Sequence, residues 1–113
     1  MHELSLCGAI ADVAHRRAGG RRVEAIHLQI GQLRQVVPDT LQFCWSMVTE
    51  QTSLAGCTLE VERIEALLEC GSCGARSGMA RQIAFACGAC GELDVTVVAG
   101  EEFLVTALDL VLP

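Results

Sequence analysis

Lysine is absent from this chain, and all eight of its basic residues are arginine. That one-sided usage reads as genomic bias rather than function. Cations are also outnumbered by fourteen carboxylates, which leaves a net charge of −6. Nucleic-acid binding draws most of its affinity from neutralised phosphates, so this balance argues against it. No apolar run approaches the roughly 20 residues that cross a bilayer, so no membrane span is expected. The start, Met1-His2-Glu3, lacks a basic stretch followed by an apolar block, and no secretory signal is expected. There is no repeat and no low-complexity segment. No nucleophile–base motif, phosphate-cradling glycine loop or open zinc ligand set appears, so the chain is not expected to be an enzyme. Histidine does not occur beyond His27.

What is present begins with cysteine. The seven cysteines are an odd number, and without a secretory signal they suit metal-bound thiolates in a reducing cytoplasm better than a disulfide framework. Cys70 and Cys73 form one CxxC pair and Cys87 and Cys90 a second, with thirteen residues between the pairs. Two such knuckles on a short loop supply the four converging thiolates that tetrahedral zinc needs. Glycine follows the first cysteine of each pair (Gly71, Gly88) and the second (Gly74, Gly91), which lets the backbone turn its amides toward the sulfurs. A redox CxxC usually sits on a βαβ pattern, and neither pair does. Four thiolates leave no position for water, so this zinc is expected to be structural. Many zinc ribbons bind nucleic acid. Here Arg76 and Arg81 are set against Glu69, Glu92 and Asp94 between residues 66 and 95, and no basic face results.

With 113 residues, about half of them apolar, the chain can bury one core. Leu4 to Arg17 predict a helix, with Leu6, Ile10 and Val13 at spacings of three and four and Gly19-Gly20 as its stop. Arg16, Arg17, Arg21 and Arg22 read as a solvated helix end rather than a docking patch. Val23 to Ile30 predict a strand, with Ile26, Leu28 and Ile30 on one face. Val37-Pro38-Asp39 predict the start of a second helix carrying Leu41, Cys44, Trp45 and Val48. Cys57 to Ile64 predict a second strand. Phe103 to Leu112 predict a last one, whose near-continuous apolar character suggests burial on both faces. The expected fold class is α/β, two helices on a small three-stranded sheet with an inserted four-cysteine zinc ribbon. Residues 1–65 and 96–113 form the α/β domain, and 66–95 the zinc-binding domain.

The first residues offer a second metal site. The Met1 amine, the His2 amide nitrogen and the His2 imidazole can close around one ion in five- and six-membered chelate rings. The Glu3 amide nitrogen, the Glu3 carboxylate or a second imidazole can fill the fourth corner. Nitrogen-rich planar ligation suits Ni(II) or Cu(II) rather than zinc. The bland reading of a histidine at position 2 is a solvated side chain.

Met1-His2-Glu3 on an amphipathic helix, Ile30-Gly31-Gln32-Leu33, Val37-Pro38-Asp39, the two CxxC pairs and Gly100-Glu101-Glu102-Phe103-Leu104 follow one another in an order that resembles the HypA/HybF family over essentially the whole chain. These are nickel metallochaperones of [NiFe]-hydrogenase maturation. The resemblance implies Ni(II) as a transient cargo at His2 and Glu3 with Met1, which makes the α/β domain nickel-binding. It also implies structural Zn(II) on Cys70, Cys73, Cys87 and Cys90. The implied partners are a HypB-type GTPase and the hydrogenase large subunit, with urease served in some organisms, for a cytoplasmic monomer or homodimer. The chain departs from the family pattern at Gly88, where the second knuckle commonly has proline, and in having no histidine in or near the ribbon. His15 and His27 are further nickel-ligand candidates, each read more readily as an ordinary surface or core histidine. Cys7, Cys44, Cys57 and Trp45 read as core. The alternative function is a zinc-ribbon adaptor or nucleic-acid-binding module without nickel.

Overall fold

The computed structural model describes residues 2–79 and 84–112. Two sequence readings fall outside them: Met1 as a nickel donor and Arg81 as one of the ribbon's two cations.

Helix α1 spans Glu3–Ala18, strand β1 Val23–Gly31 and helix α2 Pro38–Thr49, with a 3₁₀ turn at Gln32–Arg34. Strands β2 (Thr58–Ile64), β3 (Leu67–Cys70), β4 (Arg76–Gly78), β5 (Val95–Ala99) and β6 (Phe103–Leu110) follow. They form two three-stranded sheets, ordered β2-β1-β6 and β4-β3-β5. The chain divides into two compact units. One comprises Met1–Gln29, Gln35–Glu62 and Leu104–Pro113, and the other Ile30–Arg34 and Arg63–Phe103. Among the described residues no helix is long and apolar enough to cross a membrane.

The first unit is the helical layer on its sheet. Gly19 adopts a left-handed conformation and ends α1, as the Gly-Gly pair predicts. The buried face of α1 is Glu3, Cys7, Ile10, Ala14 and Ala18, while Leu6 and Val13 are only half-buried. Small residues at 7, 14 and 18 let the helix lie close to its neighbours, so they win the inward face from the larger side chains. The Cys7 thiol donates to the Leu41 carbonyl of α2 at 3.6 Å. On α2, Leu41 and Trp45 are buried, and the Trp45 indole N–H donates to the Cys57 carbonyl at 2.9 Å. This satisfies a polar atom that burial would otherwise orphan.

Strand β1 is the central strand, with Ile26, Leu28 and Ile30 buried. Its N–H at Gly31 donates to Glu102, and Val111 donates back to Arg22 at the other end, so β1 and β6 run antiparallel. The expectation that the last strand is buried on both faces is overturned. β6 lies at the sheet edge and Leu104 is 52% exposed. Its burial alternates, with one change of phase at Thr106–Ala107, where two successive residues face outward. The central strand β1 is the more buried one, yet its Glu24 is exposed and His27 and Gln29 are half-buried.

The second unit holds the ribbon. β3 pairs antiparallel with β4 and with β5. Its apolar cluster is small: Ala66, Leu68 and Met79, with Leu33, Val95 and Val97 partly buried against it. The segment 30–34 is fastened here by backbone and side chain. Leu33 N–H donates to Gly100 at 2.8 Å, Ala66 N–H donates to the Gln32 side-chain oxygen at 2.9 Å, and the Gln32 amide donates to Met79 at 3.2 Å. A Cβ on Gly31 would fall on the Gly100 carbonyl, so glycine is required where these backbones cross.

Candidate metal centre

Each CxxC pair builds the same turn. Cys70 N–H donates to Ala75 and Gly74 N–H to Cys70, and Cys87 N–H donates to Glu92 and Gly91 N–H to Cys87. Gly74 and Gly91 take φ of +75° and +77°, a region that favours glycine. The turns aim amides at sulfur. Ser72 and Cys73 N–H donate to Cys70 Sγ at 3.3 and 3.4 Å, and Ala89 and Cys90 N–H to Cys87 Sγ at 3.3 and 3.4 Å. A thiolate facing two N–H groups is stabilised. The amides of Cys90 and then Ala89 hold Cys87 down at about 6, and the Cys73 amide leads the lowering of Cys70.

The two turns face each other. Cys70 Sγ lies 3.7 Å from Cys90 Sγ, and Cys73 Sγ 3.6 Å from Cys87 Sγ. All four sulfurs fall within 4.8 Å of one another. About 3.8 Å is the edge of a tetrahedron with metal–sulfur bonds of about 2.3 Å. Among the described residues this is the only group of three or more His, Cys, Asp or Glu side chains gathered closely enough to hold an ion. The tetrathiolate fits a zinc ribbon.

Ser77, on β4, was not singled out by sequence reasoning. Its hydroxyl accepts the Gly88 N–H at 3.0 Å, and a Cβ at residue 88 would come within 3.0 Å of Ser77 Cβ. Glycine in the place of the family's commoner proline was the available signal, because proline has no N–H to give.

The N-terminal candidates separate. His2 is exposed and precedes α1 as its cap residue, with no side-chain capping bond. Its carbonyl accepts the first helical bond, from Leu6 N–H at 2.9 Å. Glu3 turns inward and is 5% exposed, and its Oε2 accepts the Val37 N–H at 3.1 Å. Val37 precedes α2 and has no capping side chain of its own. One carboxylate therefore lies at the positive ends of two helices. Its pKa is held at about 2, first by a hydrogen bond with the terminal amine, then by the backbone N–H groups of Val37 and Glu3.

The remaining candidates have other surroundings. His27 on β1 is bonded to Asp109 at 2.9 Å on the outer sheet face. His15 is exposed and lines a cleft of about 460 Å³ with Arg21, Arg22 and Thr52. Burial, more than the neighbouring Cys44 and Glu3, pushes the Cys7 thiol up to about 11, and burial also raises Cys57. These are the marks of core thiols rather than reactive ones.

The family model described as hydrogenase/urease nickel incorporation, metallochaperone, hypA, matches residues 1–110. The chain belongs to the HypA family. The HypA hydrogenase maturation factor of Geotalea uraniireducens (strain Rf4) is 40% identical over 110 residues, covering 97% of this chain and 99% of that protein. That of Geobacter metallireducens is 41% identical with the same coverage. The solution structure of the Ni metallochaperone HypA from Helicobacter pylori shares the fold, with a TM-score of 0.67, 18% identity and 97% of each chain covered. HypA proteins are metallochaperones for nickel incorporation in hydrogenase maturation, not enzymes, and this one carries a four-cysteine metal site.

Proposed function

We propose that this protein binds Ni(II) at its N-terminus and delivers it, in the cytoplasm, for assembly of a [NiFe]-hydrogenase. The donors are the Met1 amine, the His2 amide nitrogen and imidazole, and a fourth contribution from Glu3. The observation that carries the reading is an exposed His2, whose side chain makes no capping bond, at the start of a chain matched from residue 1 by a nickel-incorporation family. Planar nitrogen ligation suits Ni(II). A site with few side-chain donors and open to solvent favours handing the ion on over storing it.

Zinc is the resident metal in this reading. It takes Cys70, Cys73, Cys87 and Cys90, stays structural, and keeps the ribbon folded as a docking arm. The receiving partners are a HypB-type GTPase and the hydrogenase large subunit, with urease as a further client, for a monomer or homodimer with no nucleic-acid role. Metal content of untagged protein, as purified and after nickel loading and desalting, tests this beside His2→Ala. The expected result is one zinc in both proteins and about one nickel in the wild type alone. Equal nickel in both would remove the N-terminal site. Zinc with no nickel in either would leave a zinc-ribbon adaptor.

A further inference from the structure

Four of the chain's eight arginines fall between residues 16 and 22, and no carboxylate lies between Asp12 and Glu24. From this cluster and the cleft beside it, we infer that the protein has an anion site at the end of α1 remote from His2, built by His15, Arg21, Arg22 and Ser53 to take a diphosphate group.

A solvated helix end explains only part of the cluster. The C-terminal end of a helix carries about half a negative charge, which acts within the last turn. Arg16 and Arg17 lie in that turn with His15, and Arg16 also donates to the Asp12 carbonyl at 3.3 Å. These two cations more than offset the dipole. Arg21 and Arg22 come after the left-handed Gly19 and Gly20 and are not part of the helix. Both are exposed, and neither side chain has an ion pair or hydrogen bond among the described residues. Because lysine is absent throughout, the choice of arginine is not itself a sign of phosphate, and only the placement counts.

That placement is a cleft. About 460 Å³ opens beside His15, Arg21 and Arg22, and its other wall is residues 52–55, in the loop between α2 and β2. The volume is in the range of small-ligand clefts. The loop wall is held from within. Thr52 donates to the Thr49 carbonyl through its N–H at 3.0 Å and its hydroxyl at 2.6 Å, and its hydroxyl accepts the Leu54 N–H at 3.1 Å. Leu54, 2% exposed, anchors the loop. Ser53 stands outside this network, and its N–H and hydroxyl have no partner among the described residues. Two guanidinium forks, an imidazole and two neutral donors around one cleft match an anion with several oxygens. Glu50, two residues before Thr52, lines a different cleft with Trp45 and Thr49. No aromatic side chain lines this one, so a nucleobase has nothing to stack on and the diphosphate itself carries the affinity. All these residues lie in one compact unit, and about 24 Å of helix separates the cleft from His2.

Titration calorimetry and amide NMR of the zinc-loaded, nickel-free protein test the site, with inorganic pyrophosphate, adenosine diphosphate and hexaglutamate as probes. Arg21→Glu and Arg22→Glu change exposed side chains, and Arg63→Glu makes the same charge change at another exposed position. Zinc content after each titration controls for chelation. The expected result is saturable pyrophosphate binding, weakened roughly tenfold by Arg21→Glu and by Arg22→Glu and unchanged by Arg63→Glu, with adenosine diphosphate bound no more tightly. Amide shifts should fall at residues 20–23 and 52–55. Absence of binding, or shifts confined to the cysteine turns with zinc lost, would overturn the inference. So would an equal loss in Arg63→Glu, since net charge alone would then be responsible. Preference for hexaglutamate over pyrophosphate would make the patch a docking face for an acidic protein, and tighter binding of adenosine diphosphate would put recognition in the nucleoside. Either outcome contradicts a diphosphate site.

Discussion

Removing the metal should unfold the ribbon and leave the helical unit standing. The ribbon's buried apolar cluster is Ala66, Leu68 and Met79. Full burial of a leucine or methionine side chain gains about 1.5–3 kcal/mol, so Leu68 and Met79 together supply only a few kcal/mol. A structural zinc contributes about 10–16 kcal/mol of apparent binding free energy in small zinc peptides. Zinc bound to the four thiolates would therefore stabilise the ribbon more than its apolar cluster does. The other unit has a different basis, with Ile10, Ile26, Leu28 and Leu41 all essentially buried. That unit also holds both helices and the sole tryptophan, Trp45. Chelator under reducing conditions should strip amide-exchange protection from Ser72, Cys73, Ala89 and Cys90, the residues whose N–H groups face the sulfurs. Trp45 emission and helical circular dichroism should stay unchanged at the same chelator concentration. Retained protection in metal-free protein would refute the reasoning, and so would a Trp45 shift that follows metal loss.

Three smaller effects follow from single contacts. Trp45→Phe should cost about 1–3 kcal/mol in urea denaturation followed by circular dichroism, because the buried Cys57 carbonyl loses its 2.9 Å donor; an unchanged midpoint would contradict this. Glu3 is held near 2 against an ordinary 4.5, so its stabilisation is complete above about pH 4.5 and is lost as pH falls toward 2. Urea midpoints over that range should be less steep with pH in Glu3→Gln than in the wild type, and equal slopes would exclude this role. Gly88→Pro should lower zinc affinity rather than improve the turn, since it removes the donor to Ser77 and crowds Ser77 Cβ; competition with a chromogenic chelator measures it, and tighter zinc would show the bond is dispensable.

The local parts of the fold were legible because they rest on short-range chemistry. Gly19 stopped α1, Pro38 opened α2, and the CxxC spacing with its glycines anticipated the thiolate cluster. What was not legible depends on which segments meet. An apolar run cannot say whether its strand is central or at an edge, and Phe103–Leu110 took the edge while Val23–Gly31 took the centre. Cys7 took the core position expected of it, while Ala14 displaced Val13 from the buried face of α1, since close packing is set by the neighbour rather than by hydropathy. Glu3 read as a candidate nickel donor beside His2, and no short-range pattern showed that its carboxylate also accepts the Val37 N–H, thirty-four residues away. Ser77 could be found only by asking what accepts the N–H that glycine supplies at position 88.

The central claim is that this chain carries two metals at two chemically different sites. X-ray absorption at the nickel and zinc edges of the untagged, singly nickel-loaded protein tests it most directly. Four sulfur neighbours around zinc at about 2.3 Å, and a planar nickel shell of nitrogen and oxygen only, are the expected result. A nickel shell of four sulfurs would place the cargo among Cys70, Cys73, Cys87 and Cys90 and contradict the claim.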